Sequence, residues 1–330
     1  MTVAEFLQAS LLVTAIAMLI ERTVGYPDRL VQLVGHPVIW VGNLIGWCDL
    51  RFNNPASPDP RRKFAGVCTL LFVAGVTGAV SLAAMLFLRS VPFGWIAEAV
   101  LASSLISQKE LGERVEAVAD GLDQNLEQGR EAVRHIVGRD HRSLSESEVA
   151  KGAIESLAEN SSDGVVAPVL WMLLGGLFGT VLYKTVNTLD SMIGYKTERH
   201  RAFGWASARF DDLLNLVPAR LTGLLYCFCM LFLDRGRASL GWKSMWRDAP
   251  KHVSPNAGYP EAAMAGSLDV ALGGPRSYGG NTVELAYMGS GRQTLAPNDV
   301  RAAVALYKLM LTVLTCVLLA PVIFMFSPSM

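Results

Sequence analysis

The sequence predicts an all-α, polytopic integral membrane protein with four to six hydrophobic helical segments, joined by helical cytoplasmic loops. Of its 330 residues, 51% are hydrophobic and 18% are charged, whereas a soluble domain carries about 25% charged residues. Two uncharged runs, 64–88 and 309–330, contain 25 and 22 residues, and a helix needs roughly 20 apolar residues to cross a bilayer. We expect a single membrane-embedded domain over 1–330.

Four other apolar segments are shorter or interrupted. Residues 6–20 are uncharged but few for a crossing, and residues 92–107 follow a turn-like sequence that predicts a return crossing. Segment 165–183 contains a Gly-Gly pair, and segment 213–233 contains a proline and an arginine. Each of these two is either a crossing or a re-entrant segment packed on protein, because irregular backbone at membrane depth needs protein around it.

The basic residues predict the orientation. Segments 21–63, 108–164, 184–212 and 234–302 carry six, seven, five and eight Lys and Arg residues, and the two chain ends carry none. Basic loops face the cytoplasm, so these four segments are expected there, with both termini outside. The polar residues of these segments are therefore expected on the cytoplasmic side.

Composition also excludes several classes of protein. The chain has 29 basic and 29 acidic residues, and a nucleic-acid-binding protein would show a basic excess. Its five cysteines lack metal-site spacing and are interpreted as core thiols. No P-loop, HExxH or GxSxG motif occurs. The residues alone therefore indicate a membrane protein with a cytoplasmic site of carboxylates and cations.

Residues 108–164 are predicted to form helices. Apolar residues recur there every three or four positions, at Leu111, Val115, Val118, Leu122 and Leu126. A second helix begins at a capping box, Ser145 to Glu148, and is expected to stop at the sequence AENSSDG.

That second helix carries an oxygen-rich cluster. Glu155 and Glu159 lie one turn apart on one face, and Asn160 and Asp163 follow. Hard oxygen ligands suit Mg²⁺. The alternative is a solvated helix face with an ordinary stop.

A second cluster lies between residues 184 and 220. It places Asp190, Asp211 and Asp212 in sequence near six cations, which are Lys184, Lys196, Arg199, Arg201, Arg209 and Arg220. Acids that hold Mg²⁺ and cations that neutralise phosphate oxygens are what a metal–triphosphate site requires. The alternative is anchoring of a basic loop by intrahelical ion pairs, which explains KTERHR but not an aspartate or arginine within apolar sequence.

Two further stretches contain candidate binding residues. His36 lies among apolar residues, where it is either structural or a donor to a substrate phosphate. Asn256 and Glu261 lie in a turn that leads into an Ala- and Gly-rich helix. A helix N-terminus can receive an anion, and close packing of small residues is the alternative.

Five stretches, taken in order, resemble the adenosylcobinamide-phosphate synthase family of cobalamin biosynthesis, the CbiB/CobD family. They are GHPV, AENSSDGVVAP, NTLDSMIGYK, ARFDDLLNLVPARL and SPNAGYPEAAMAG, and the resemblance covers about residues 15–310. It implies a carbon–nitrogen ligase of the bacterial inner membrane that uses ATP and Mg²⁺ and whose active site faces the cytoplasm. The expected reaction joins the propionate carboxylate of adenosylcobyric acid to the amine of 1-aminopropan-2-ol or of its O-phosphate.

The resemblance and the residues together suggest roles. The candidates for metal binding or base catalysis are Glu155, Glu159, Asp163, Asp190, Asp211 and Asp212, with Asp190, Asp211, Asp212 and Glu159 as the Mg²⁺ ligands. The candidates for substrate or ATP binding are His36, Asn160, Lys184, Asn187, Lys196, Arg199, Arg209, Arg220, Asn256 and Glu261. Expected partners are the two substrates, membrane lipid and other late corrin-pathway enzymes, but no nucleic acid.

Two other classes remain as alternatives. A transporter of a corrinoid or amino alcohol would also place charges beside apolar helices, but it is expected to show repeated halves, and we see none. A membrane CDP-alcohol phosphotransferase would need DGxxAR, whereas Asp163-Gly164 is followed by VVAPV.

Overall fold

The computed structural model is helical over most of its length and describes residues 2–27, 29, 32–33, 35–137, 141–195, 197–278 and 281–326. The helices are α1 (Val3–Thr23), α2 (Pro37–Phe52), α3 (Asp59–Ser90), α4 (Gly94–Ser103), α5 (Gln108–Gln124), α6 (Leu126–Val133), α7 (Glu146–Ser161), α8 (Ala167–Ile193), α9 (Trp205–Leu214), α10 (Leu216–Leu231), α11 (Arg235–Asp248), α12 (Gly258–Leu268) and α13 (Pro297–Phe326). A π-helical turn, Ser162–Val166, follows α7. Short strands β1 (Leu272–Gly273), β2 (Arg276–Tyr278), β3 (Asn281–Val283) and β4 (Tyr287–Met288) pair antiparallel as β1–β4 and β2–β3.

Several helices are long and apolar enough to cross a membrane. Among the described residues, four pass by length and composition: Val3–Thr23, Asp59–Ser90, Glu146–Ile193 and Pro297–Met325. Helices α9 and α10 pass the same test as a pair, which gives up to five spans. The predicted fold class, an all-α polytopic membrane protein with four to six hydrophobic segments, is confirmed.

The return crossing predicted over residues 92–107 is wrong. Only ten residues, Gly94–Ser103, form a helix there. Ten residues rise about 15 Å, half the hydrocarbon thickness of a bilayer. By contrast, the short run 6–20 lies within a helix of 21 residues, because a capping box of Thr2 and Glu5 begins α1 before the uncharged run starts.

The chain divides into two compact units, which we describe separately. The first contains Met1–Ser107, Ala167–Asn215 and Val317–Met330, and the second contains Gln108–Val166 and Leu216–Cys316. The expectation of a single membrane-embedded domain stays a prediction.

In the first unit, α2, α3, α8 and α9 pack around an apolar core. Its buried members are Ile45, Cys48, Leu70, Val73, Val186, Leu189, Ile193, Phe203 and Ala206. A side chain at Gly66 of α3 would overlap the backbone carbonyl oxygen of Phe203. The segment between α8 and α9 therefore lies directly on the backbone of α3.

Helix α8 is broken at the Gly-Gly pair. Gly176 has φ 59° and ψ −152° inside this helix, a backbone conformation that glycine adopts without steric cost. Close by, Arg89 of α3 forms two 2.9 Å hydrogen bonds to the fully buried carboxylate of Glu98. A side chain at Gly176 would lie 2.8 Å from the guanidinium of Arg89, so the break leaves room for this buried ion pair.

In the second unit, α10 and α11 pack on α12, while α5 and α6 pack on α7. The apolar stripe of α5 is buried as predicted at Leu111, Val115, Val118 and Leu122. The predicted helix breaks at Asn125, whose side chain accepts a 3.0 Å hydrogen bond from the backbone of Gln128 and starts α6.

The stop predicted at AENSSDG is confirmed for the α-helix, which ends at Ser161 within that sequence, but the helical backbone does not break there. After the predicted capping box at Ser145, α7 runs to Ser161 and continues into the π-helical turn. Asn160 and Ser161 donate their side-chain hydrogen bonds back to the carbonyls of Ser156 and Ala158, so they do not supply the terminal caps that would end the helix. Apolar residues of the turn are buried, which favours continued helix.

Hydrogen bonds to Asp248 link the end of α11 to the strand region of the second unit. Its buried carboxylate accepts hydrogen bonds from Lys251 at 2.9 Å and from the backbone N–H of Gly289 at 3.0 Å, and it pairs with Arg247. Burial alone would raise the pKa of Asp248. The hydrogen bonds from these three groups outweigh burial and lower its pKa to about 2.

Asp248→Asn is expected to lower the free energy of unfolding by about 2 kcal/mol at neutral pH, because the folded state holds the charged form more tightly than the unfolded state, with a pKa of about 3.9, does. In the wild type this stabilisation is complete above pH about 5 and is lost as the pH falls through about 4 to about 2. Denaturant unfolding of the purified protein between pH 7 and pH 2.5 measures both effects. Glu113→Gln, at an exposed carboxylate of α5, is the control. A variant with the wild-type pH profile would contradict the assignment.

Candidate functional site

Three aspartates meet in the first unit, at the C-terminal end of α8 and on α9. Asp190 lies in the last turn of α8, and Asp211 and Asp212 lie on α9. Asp190 is close enough to Asp211 and to Asp212 for electrostatic repulsion. Asp211 is buried, and the other two are half-buried. The predicted grouping of these residues, which we call the aspartate cluster, is present in the fold.

Amide side chains hold Asp211 in place. Asn215 donates a 3.0 Å hydrogen bond to one carboxylate oxygen and Asn187 a 3.4 Å hydrogen bond to the other. The carbonyl of Asn215 in turn accepts a 2.9 Å hydrogen bond from the buried hydroxyl of Tyr183. The orientation of Asp211 is therefore set from both helices, α8 and α9.

Two of the predicted cations lie beside the aspartate cluster. Lys184 donates a 3.4 Å hydrogen bond to Asn187, and Arg209 lies 3.6 Å from the carboxylate of Asp212. Lys196 lies outside the described residues. The cluster thus combines three carboxylates, two amides and two cations within one unit.

Arg199, predicted to bind substrate or ATP, is instead paired with Asp49. Its guanidinium lies 2.6 Å from that carboxylate. Burial alone would raise the pKa of Asp49. Hydrogen bonds from Asn53 and Arg199, together with the charges of Arg199 and His200, lower it. This pair supports a structural role, and substrate binding by Arg199 stays a prediction.

The pair belongs to a clamp that the sequence reasoning missed. Asn53 donates 2.8 Å and 3.0 Å hydrogen bonds to Asp49 and to the carbonyl of Arg199. The buried Arg62 donates to Asn53 at 3.1 Å and to the carbonyl of Arg199. Together, Asp49, Asn53 and Arg62 hold the loop between α8 and α9. In the sequence, Arg62 lies at the start of an apolar span, where an arginine is ordinarily interpreted as an anchor at the membrane interface.

The absence of a side chain at Gly194 allows that loop to lie close to the aspartate cluster. A side chain at Gly194, one residue past α8, would overlap the carboxylate of Asp190. The loop backbone therefore runs directly against Asp190 and limits the positions that its carboxylate can take.

The predicted carboxylates of α7 lie in the second unit and differ in environment. Glu155 is buried and accepts a 2.7 Å hydrogen bond from the backbone N–H of Gly273, at the base of the β1–β4 pair. Glu159 and Asn160 are exposed and Asp163 is half-buried. One oxygen of Glu155 thus has a structural task, while Glu159 is accessible to a soluble ligand.

Arg220 and Glu261 are also in the second unit. The guanidinium of Arg220 stacks 4.0 Å from the ring centroid of Tyr259 and donates a 3.0 Å hydrogen bond to its hydroxyl. Glu261, in the first turn of α12, lies 3.6 Å from the imidazole of His252. Asn256 is buried just before this helix. A carboxylate in the first turn already complements the helix dipole, which weakens the case for an anion there.

His36 caps helix α2. Its Nδ1 accepts a 3.2 Å hydrogen bond from the backbone N–H of Val38, and its ring packs edge-on against Tyr26 at 4.7 Å. This agrees with the structural alternative for His36, and its role in substrate binding stays a prediction.

The aspartate cluster has suitable chemistry for Mg²⁺. Within the described ranges, no three His, Cys, Asp or Glu side chains are arranged to hold a metal ion by themselves. However, Mg²⁺ in phosphate-transferring sites binds through only one or two carboxylates plus substrate phosphates. The carboxylates and amide oxygens of this cluster meet that smaller requirement. The assignment of Asp190, Asp211, Asp212 and Glu159 to Mg²⁺ stays a prediction.

The apolar helices and the polar clusters beside them define a helical membrane protein whose acids, amides and cations are suited to a small-molecule reaction. The family model described as CobD/Cbib protein matches residues 14–307, and the chain belongs to the CobD/CbiB family of cobalamin biosynthesis. This confirms the resemblance seen in the sequence and implies an enzymatic role in that pathway.

Relatives named "Cobalamin biosynthesis protein CobD" match along nearly their whole length. The protein from Sinorhizobium sp is 47% identical over 90% of this chain and 93% of its own. Those from Brucella suis and Rhodobacter capsulatus are 41% and 42% identical, over 95% and 94% of this chain and 97% and 96% of theirs. No solved structure matches the chain.

Proposed function

We propose that this protein is an adenosylcobinamide-phosphate synthase, an ATP- and Mg²⁺-dependent carbon–nitrogen ligase. It would join the propionate carboxylate of adenosylcobyric acid to the amine of 1-aminopropan-2-ol O-phosphate or of 1-aminopropan-2-ol. The observation that carries the proposal is the aspartate cluster, with Asn187 and Lys184, in a chain of the CobD/CbiB family.

Amide formation explains why such a site needs both acids and cations. A carboxylate oxygen leaves readily only after activation, most simply by transfer of the γ-phosphoryl group of ATP, which gives an acyl phosphate and ADP. The amine then attacks the acyl carbon, inorganic phosphate leaves, and the amine loses a proton. Positioning and charge neutralisation dominate phosphoryl transfer, and the second step needs a base for the ammonium.

The residues of the first unit divide into suitable roles. Asp190 and Asp212 would hold Mg²⁺, which neutralises phosphate charge when bound. Lys184 and Arg209 would bind phosphate or carboxylate oxygens, and Asp211, held by its amides, would orient this set or accept the ammonium proton. In the second unit, Glu159, Asp163 and Arg220 are the remaining candidates.

We also propose a cytoplasmic orientation of this site in the bacterial inner membrane, supported by the basic residues of segment 184–212. Cysteine-accessibility labelling near Arg199, which is exposed, tests it. Strong labelling by a membrane-impermeant reagent from outside intact cells would reverse the orientation.

The decisive experiment is an assay of detergent-purified protein with adenosylcobyric acid, ATP, Mg²⁺ and either form of the amine. The expected result is ADP release that requires both organic substrates, with a product mass equal to the condensed amide. ATP hydrolysis without the amide product, or no turnover with either amine, would refute the proposal.

Substitutions of the two glutamates of α7 are expected to affect different properties: activity for Glu159 and stability for Glu155. Glu159→Gln should reduce turnover about tenfold or more and raise the Mg²⁺ concentration at half-maximal rate, since an exposed carboxylate that is a candidate Mg²⁺ ligand is lost. Glu155→Gln should mainly lower the melting temperature, because a charged acceptor for the N–H of Gly273 is replaced by a neutral one. Turnover against Mg²⁺ concentration, with thermal unfolding of both variants, measures this. An unchanged Mg²⁺ curve for Glu159→Gln would mean that it is only a solvated residue.

A further inference from the structure

Helix α11 in the second unit has one face on the protein and one face exposed. Its buried residues, Ala238, Gly241, Ser244, Met245 and Asp248, pack toward α12. On the other face, Trp242 and Trp246 are 50% and 45% exposed. Two tryptophans on one exposed face of a 14-residue helix are unusual for a surface that contacts only water, because large apolar side chains favour burial.

Cations lie beside these tryptophans. At 3.6 residues per turn, Arg235, Trp242 and Trp246 fall on one side of the helix, with Lys243 next to them. In the described part of the chain, neither Arg235 nor Lys243 forms an ion pair, whereas Arg237 lies 3.8 Å from Asp234 and Arg247 is paired with Asp248. The exposed face is therefore aromatic and carries uncompensated positive charge.

The surface is continuous with an apolar helix that precedes it. Helix α10 ends at Leu231, and the next residues, Phe232 and Leu233, are 68% and 64% exposed. Asp234 then starts α11 by accepting hydrogen bonds from the backbone N–H groups of Gly236 and Arg237. Only Asp234 thus separates this apolar sequence from α11.

We propose that α11 lies in the membrane interface, with Trp242 and Trp246 at the headgroup level and Arg235 and Lys243 binding anionic phospholipid headgroups. Tryptophan concentrates at membrane–water interfaces because its ring is apolar and its N–H is polar. Helices with aromatic and basic residues on their exposed surface bind anionic bilayers through both. This inference is independent of the proposed reaction.

One of these tryptophans also contacts the tyrosine on which a candidate binding residue, Arg220, stacks. Trp242 and Trp246 pack edge to face with ring centroids 5.8 Å apart, and Trp246 packs in the same way on Tyr259, also at 5.8 Å. Tyr259 is the ring on which Arg220 stacks. The proposed membrane contact therefore supports one side of the Arg220–Tyr259 pair.

Tryptophan quenching by brominated lipids tests the proposal in the full chain. The wild type and the double variant Trp242→Phe/Trp246→Phe are placed in bilayer nanodiscs of phosphatidylcholine that contain a minor fraction of brominated phosphatidylglycerol or of brominated phosphatidylcholine. The difference between the two proteins isolates the emission of two of the seven tryptophans. We expect at least twofold stronger quenching of this emission by the anionic lipid.

The charge variant gives a second, independent measurement. Arg235→Gln/Lys243→Gln changes only exposed side chains and should make the two brominated lipids quench equally, even if the tryptophan variant does not fold. Arg134→Gln, which removes an exposed cation directly after α6 in the same unit, should keep the preference for the anionic lipid. Equal quenching in the wild type would overturn the anionic preference, and no quenching by either lipid would overturn the interfacial position. The latter result together with a doubled particle mass would assign the face to a second copy of the chain.

Discussion

Asp190→Asn is expected to reduce turnover at least about 100-fold while the protein still folds. Asn has nearly the same shape but lacks the charge that would hold Mg²⁺ or a substrate cation, and loss of one preorganised electrostatic group typically costs about 10²–10³-fold in rate. The half-buried position beside two other aspartates also makes the neutral side chain easy to accommodate, because one source of repulsion is removed. Steady-state turnover and a thermal melting curve for the purified variant measure both effects.

The control is Glu198→Gln, which neutralises an exposed carboxylate in the loop that follows α8. It should leave turnover within about twofold of the wild type. The assignment of Asp190 would be refuted by near-wild-type turnover in Asp190→Asn. A loss of the same size in both variants would point to the charge of the whole region and not to this carboxylate.

The aspartate cluster was predictable because its signal is local. An aspartate at membrane depth is costly unless it is used, so Asp190 and the Asp211-Asp212 pair are conspicuous in apolar sequence. The fold then brings these residues together through two adjacent helices, α8 and α9, joined by a short loop. The capping box at Ser145 was predictable for the same reason, since both of its partners lie within three residues.

The clamp on that loop was not predictable from sequence. Asp49 and Arg199 are separated by 150 positions, and nothing local distinguishes this arginine from the other cations of KTERHR. The continuation of the helical backbone beyond α7, through the π-helical turn, was missed for a related reason. Asn, Ser and Asp are common at helix ends because they bond to nearby backbone, but here the same bonds run back into the helix.

Close backbone contacts could not be predicted from the sequence either, although they limit where the aspartates lie. Glycines in membrane helices are ordinary, and their spacing in α3 does not reveal which one touches a neighbour. In the structure Gly66 lies against the backbone of Phe203, whereas Gly75 in the same helix has no atom within 4 Å of the position a side chain would take. This difference makes the two glycines a matched pair for a test.

Gly66→Ala is expected to lower the free energy of unfolding by about 1–3 kcal/mol, the usual cost of overpacking a core. The added methyl group would overlap a backbone carbonyl oxygen of Phe203, which cannot rotate away as a side-chain end could. The segment between α8 and α9 must therefore move. Because Asp211 lies eight residues after Phe203, we expect a loss of turnover larger than the loss of stability alone would cause at assay temperature.

The control, Gly75→Ala, should be neutral or stabilise the helix by up to about 1 kcal/mol, since Ala is the better helix former. Thermal unfolding and turnover of the two variants, measured side by side in one detergent, distinguish the cases. Equal stability in the two variants would show that Gly66 does not set the distance between α3 and this loop. A destabilised Gly66→Ala with full turnover would show instead that the loop can shift without moving the aspartate cluster.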